Sequence, residues 1–240
     1  MTKIIAHRGA SGSGVENTLE SFEKAIELGV DMVEFDVRRT HDGVLIVYHD
    51  ATFNDSPINW MNYEEITKLA EEQNFKIPTF REVVKLCAGK VYMDVELKES
   101  GYEKKVVSVL KKYVDYDEYS IKSFIDAVPK KIHDIDKNIT TGLLVGKKNG
   151  GIKDRFNEIF PLGRLFRCHA DFVSPYYVLI SRKYIKRMHL AGIPVYAWTV
   201  NDKKIMKKCI AYKVDGIITD RPDLALRIRA LYKGDDNNEA

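Results

Sequence analysis

Short apolar runs rich in β-branched residues alternate along this chain with longer stretches whose apolar positions recur at helical spacing. The first run is Ile4-Ile5-Ala6. Residues 18–28 follow, with Leu19, Phe22, Ala25 and Ile26 on one face and Gly29 just beyond. That spacing predicts an amphipathic helix stopped by glycine. Further strand-like runs at 32–37, 91–97, 119–124, 141–145, 171–174, 195–200 and 216–219 bring the number to eight. Helical patterns at 102–113, 124–135, 181–191 and 202–211 separate several of them. The connection 146–170 is irregular, and no helix is predicted there. Strands alternating with helices imply parallel pairing through crossover connections. Eight such units in 240 residues fit an α/β chain closed into a (β/α)₈ TIM barrel better than an open doubly wound sheet. One domain is expected over 1–233. Within it 51–78, polar with a helical patch at 63–72, is expected as a compact insertion over the barrel mouth before the third strand. Residues 234–240 form a polar tail expected to fray.

Barrel strands are buried on both faces and ordinarily apolar. Ionisable residues on them need a reason, and here they recur at the ends that carry chemistry in such barrels. In Glu34-Phe35-Asp36-Val37 the two carboxylates are two apart and share a face. Asp94, Glu96 and Lys98 share a face of the third strand by the same period. Carboxylates crowded on one face repel unless a divalent cation or arginines such as Arg38 and Arg39 offset the charge. Three oxygen ligands would favour a hard ion, Mg²⁺, Ca²⁺ or Mn²⁺, over zinc.

Between these strands Asp42-Gly43 is a two-residue hairpin signal. With those residues as the turn, paired positions sum to 85, which sets His49 opposite Asp36. A bulge would shift that register by one. His7 ends the first strand and should reach the mouth beside the second. Two histidines and three carboxylates would then surround one point.

Composition narrows the field. Lys and Arg number 38 against 35 Asp and Glu, a net charge of +3, with both signs spread along the chain. No concentrated basic stripe suggests nucleic acid as a partner. Cys87, Cys168 and Cys209 are too widely spaced for a CxxC pair, so free, buried thiols and a reducing compartment are expected. No window nears the roughly 20 apolar residues of a membrane span. A soluble, cytoplasmic protein without a stable membrane anchor is expected, its oligomeric state open.

The chain resembles the glycerophosphodiester phosphodiesterase family. The matching pieces are His7-Arg8-Gly9, Glu16-Asn17-Thr18, Glu34-Phe35-Asp36-Val37, His49-Asp50, Glu96-Leu97-Lys98, Ser123-Phe124, Trp198-Thr199-Val200-Asn201 and Asp215-Gly216-Ile217-Ile218-Thr219-Asp220, in the family's order. The resemblance implies one divalent ion, Mg²⁺ or Ca²⁺ with Mn²⁺ as a further option, held by Glu34, Asp36 and Glu96. It implies His7 and His49 as an acid/base pair and Arg8 and Lys98 as phosphate contacts. Glu16 and Asn17 would support the first loop, and Trp198 would wall the alcohol moiety. The expected substrates are small glycerophosphodiesters, cleaved to an alcohol and glycerol 3-phosphate. Family members often carry an Arg-Thr-rich run after the His-Asp pair. Here residues 51–57 contain no arginine, and that region shapes the entrance.

Two other readings differ at testable points. A lysophospholipase D or phospholipase-C-like enzyme on the same site would need an apolar rim, for which Trp60, Met61, Tyr63, Tyr176 and Tyr177 are available. A non-catalytic phosphoester-binding barrel would have lost a metal ligand or a histidine, and none is lost.

Overall fold

The structure is a computed structural model and describes residues 1–146 and 157–235. Eight parallel strands form a nearly closed barrel with helices between them. In chain order they are β1 (Lys3–His7), β2 (Met32–Arg39), β6 (Tyr92–Leu97), β7 (Tyr119–Ser123), β8 (Thr141–Val145), β9 (Phe172–Pro175), β10 (Tyr196–Ala197) and β11 (Gly216–Thr219). Strand β3 (Leu45–Val47) folds back on β2, and β4 (Thr52–Phe53) pairs with β5 (Ser56–Pro57). Around the ring β10 pairs with β11, and β11 with β1. Between β9 and β10 the contact thins to single bridges, Val173 to Val195 and Tyr176 to Trp198. The seventh run was expected over 195–200, but regular strand covers only Tyr196–Ala197. Trp198 still donates its N–H to Pro175 O at 3.1 Å, and Val200 to Ile218 O at 2.9 Å.

The helices are α1 (Leu19–Glu27), α2 (Tyr63–Glu72), α3 (Phe80–Cys87), α4 (Glu103–Tyr113), α5 (Ala127–Ile135), α6 (Leu162–Cys168), α7 (Arg182–Leu190), α8 (Lys203–Ala211) and α9 (Pro222–Asp235). Three lay outside the sequence expectation. Helix α3 opens on a reciprocal capping box, Thr79 with Glu82, and buries Phe80, Val83, Val84 and Cys87. Helix α6 lies in the connection expected to be irregular. Helix α9 begins on Pro222, whose missing N–H costs nothing in a first turn. Part of that connection, 147–156, and the tail from 236 onward lie outside the described residues.

Outward-facing strand residues pack against the helices in two large apolar clusters. The inward face holds a smaller one, Ile5, Met32 and Ile218 with Tyr92, Tyr196 and Trp198 against it. The excursion after β3 has its own cluster, in which Phe53, Ile58, Ile66, Ala70 and Ile77 close over Ile46. All three cysteines are free and buried, and burial pushes their thiols up, Cys87 to about 12 and the other two to about 11.

The hairpin register corrects the sequence expectation. Val37 pairs with Val47, Arg38 with Ile46 and Arg39 with Leu45, so paired positions sum to 84. The loop has three residues, His41, Asp42 and Gly43, closed by Thr40 N–H to Val44 O at 3.0 Å. Gly43 takes φ +81°, the left-handed step that a three-residue loop requires. Tyr48, not His49, faces Asp36 across the ladder, donating its N–H to Asp36 O at 3.0 Å.

Candidate active site

Because strand side chains alternate, β2 sends Glu34 and Asp36 inward, and β6 sends Asp94 and Glu96. The parallel register pairs Glu34 with Asp94 and Asp36 with Glu96, and β1 sets His7 beside Glu34. Glu34 and Asp36 are 1% exposed and Glu96 6%. Oxygens from these three lie within 4.8 Å of one another.

Buried carboxylates this close need cations, and the fold supplies three. The Lys98 ammonium lies 2.6 Å from Glu96 and 3.0 Å from Asp36. The Arg8 guanidinium is 3.1 Å from Asp36 Oδ2 and donates to Glu16 at 2.7 Å. Lys122, 1% exposed, is 2.6 Å from Asp94 and 3.5 Å from Glu34. Arg38 and Arg39 do not take this part: Arg38 pairs with Glu99, and Arg39 donates to Gly101 O at 3.2 Å.

Four buried carboxylates (Glu34, Asp36, Asp94, Glu96) thus face three cations, leaving one negative charge in excess. Asp36 Oδ1 is buried and faces the Lys98 ammonium at 3.0 Å. An all-oxygen donor set with surplus negative charge suits a hard divalent cation. The electrostatics are uneven within the set. Burial raises Asp36, but Lys98, Arg8 and His49 outweigh it and hold this carboxyl far below the usual range. Glu96 shifts upward, through burial first and then the neighbouring Asp36 and Glu34 charges. Burial would lower Lys98 and Lys122, yet their carboxylate partners raise both.

The loop after β1 positions Arg8. Arg8 and Asn17 both adopt φ +57°, rare for residues with a side chain. A hydrogen bond from Asn17 N–H to Arg8 O at 3.0 Å holds the two turns together. The buried Asn17 side chain donates to Asp36 Oδ2 at 2.9 Å, while Glu16 is half exposed on Arg8. Gly9 carries φ +81°, and a Cβ there would sit 2.3 Å from Ser21 Oγ. The glycine therefore serves the packing of this loop on α1.

His7 is half-buried, and its Nδ1 is 2.6 Å from Asp220 Oδ1; its Nε2 is 3.9 Å from Glu34. Burial lowers its affinity for a proton, but Asp220 and Glu34 outweigh burial and raise its pKa above the ordinary 6.5. His49 lies past the end of β3, where Arg38 Nε donates to its carbonyl at 2.8 Å. Its Nδ1 is 2.7 Å from exposed Asp50. Burial and the Lys98 charge lower its pKa despite Asp36.

These groups meet in a cleft of about 70 Å³ lined by His7, Arg8, Glu34, His49, Glu96, Lys98 and Lys122, with Phe124 and Trp198 on one side. Asp36 lies just behind it, held by Asn17. A cleft this small suits a phosphoryl group with the rest of a diester extending outward. Trp198 donates Nε1–H to Ser174 O at 2.7 Å, and its ring meets Phe124 and Tyr176, both at 5.3 Å. All the expected ligand, histidine and cation positions therefore converge. Two members escaped the sequence reading. Lys122 was hidden in a run read as a plain strand, although a lysine two residues after Ser120 on one face of a buried strand was the signal. Asp220 stood in a matched motif, but nothing local linked it to His7.

A family model described as the glycerophosphoryl diester phosphodiesterase family matches residues 7–224. A glycerophosphodiester phosphodiesterase of Caldanaerobacter subterraneus subsp. tengcongensis is 30% identical over 95% of this chain and 97% of its own length. The solved glycerophosphodiester phosphodiesterase of Thermotoga maritima superposes with a TM-score of 0.78 at 26% identity, covering 95% of this chain and 98% of that one. An Oleispira antarctica phosphodiesterase, solved in complex with the product sn-glycerol-3-phosphate, shares the fold with a TM-score of 0.81 at 24% identity, over 96% of this chain and 97% of that one.

Proposed function

The chain belongs to the glycerophosphoryl diester phosphodiesterase family and is an enzyme, and from that premise we propose that it hydrolyses small glycerophosphodiesters to an alcohol and sn-glycerol 3-phosphate. The observation that carries this reading is one cleft at which three buried carboxylates, three cations and two histidines converge. Glu34, Asp36 and Glu96 would hold one divalent ion, Mg²⁺ or Ca²⁺, with Mn²⁺ also compatible with the donor set. Such an ion, when bound, draws charge from a phosphoryl oxygen and favours attack at phosphorus.

The remaining roles fall to the chain's own residues. Arg8 and Lys98 now rest on Asp36 and Glu96, and they stand where the free oxygens of a bound phosphoryl group would come. Charge-assisted hydrogen bonds from both would hold those oxygens. Cleavage forms a new phosphorus–oxygen bond and breaks the one to the leaving alcohol. One of His7 and His49 accepts the proton of the attacking hydroxyl, and the other supplies one to the departing oxygen. Trp198 and Phe124 give the organic part of the substrate an apolar wall.

The test is release of sn-glycerol 3-phosphate from a panel of glycerophosphodiesters, with lysophosphatidylcholine as a separate arm. Turnover of glycerophosphocholine above the lysolipid is expected. EDTA should abolish it, and Mg²⁺, Ca²⁺ or Mn²⁺ added singly should restore it. Full turnover by protein shown to be metal-free would remove the ion from the mechanism. Preference for the lysolipid would move the enzyme to the lipid-directed class.

A further inference from the structure

We infer that Lys122 is a positioning residue, whose buried ammonium bridges Asp94 and Glu34 and holds the Glu34 carboxylate where it can share a cation with Asp36 and Glu96. The inference rests on reading those three carboxylates as the cation site.

Lys122 is among the largest fully buried side chains in the protein. It stands on β7, opposite Glu96 in the parallel register. Burying an ammonium costs several kcal/mol unless carboxylates repay it. Asp94, on the adjacent strand, meets it at 2.6 Å, and the other Asp94 oxygen accepts from Ser120 Oγ at 3.1 Å. That pair balances the charge of Lys122 but occupies only one of its three N–H donors. The ammonium also lies 3.5 Å from Glu34 Oε1, on the strand beyond β6. The other Glu34 oxygen accepts from the Arg8 backbone N–H at 3.3 Å. Glu34 is therefore held from two sides, from below by Lys122 and from above by the strained loop after β1. Groups that orient a metal ligand are worth about 10–100-fold in affinity or activity when removed.

Positioning and simple charge neutralisation predict opposite signs. An ammonium beside a cation site repels the incoming ion, so its loss through charge alone would tighten metal binding. Its loss as a tether would weaken it. Calorimetric titration with Mg²⁺ and with Ca²⁺ at fixed pH reads this directly, without an activity assay. For Lys122→Met, binding about 10–100-fold weaker than wild type is expected, with kcat partly recovered at saturating metal. The double variant Asp94→Asn/Lys122→Met removes one charge of each sign, so Asp94 is not left as a buried carboxylate without its ammonium. It keeps the test open where the single variant fails to fold, and it should remain weaker than wild type. Wild-type affinity in either folded variant, or tighter binding in Lys122→Met, overturns the positioning role. Absence of binding by the wild-type protein itself would instead sink the cation-site reading.

Discussion

His7 and His49 face one cleft, but opposite kinds of structure hold them. His7 ends a barrel strand, is half-buried, and is fixed by Asp220 from the far end of the chain. His49 follows a hairpin arm, and its partner Asp50 is the next residue and 67% exposed. Their proton affinities shift in opposite directions, up for His7 and down for His49. One histidine is part of the fold's frame, and the other is delivered by a loop. Equal catalytic weight therefore need not mean equal structural weight.

The largest expected effect removes either ring. His7→Ala and His49→Ala should each lower kcat by roughly 10²–10⁴-fold. Near-wild-type turnover in either folded variant would end its assignment. The comparison sharpens in stability measured on metal-free protein. A raised folded pKa makes His7 contribute stability that is fully present below pH 6.5 and fades as pH rises through the folded value. The lowered pKa of His49 does the reverse, taking stability away as pH falls through 6.5. Relative to wild type, His7→Ala should lose more Tm at pH 5.5 than at pH 8, and His49→Ala should lose less. Matching pH profiles for the two variants would erase the distinction.

Next in size is the support of His7. Asp220→Asn keeps an acceptor oxygen but removes the negative charge that opposes burial, so the His7 pKa should fall, readable by NMR titration of the ring. Loss of ring orientation should lower kcat by up to ~10²-fold. An unchanged His7 titration would show that Asp220 does not govern it. Smallest is Asp50→Asn. An exposed pair is worth about 0–1 kcal/mol, at most about fivefold in rate. A larger loss of kcat would mean that His49 depends on its neighbour as His7 depends on Asp220.

The chain's periodicity was enough to read the barrel and to bring several residues of the candidate site together. Polar residues at alternate positions of otherwise apolar strands stand out, so Glu34, Asp36, Glu96 and Lys98 were visible as a group. The hairpin register was off by one, because Asp-Gly also suits a three-residue loop in which glycine takes the left-handed step. His49 still reaches the cleft, since the chain leaves the ladder after Tyr48 and Arg38 catches the His49 carbonyl. Helices α3 and α9 carried legible starts, a Thr-x-x-Glu box and a first-turn proline. What sequence alone could not supply were contacts distant along the chain. Lys122 meets Glu34 across a whole strand, and Asp220 meets His7 across the seam of the barrel.

That seam has a consequence for how the enzyme is made. The His7–Asp220 contact joins residues 213 apart, so it cannot form until the last strand docks beside the first. Such long-range closure is the slow kind of folding step. A chain arrested before β11 would already hold every carboxylate of the cleft, but its first histidine would lack the Asp220 contact that fixes its ring. Full turnover would then be the latest property to emerge during refolding, a built-in signal that the ring has shut.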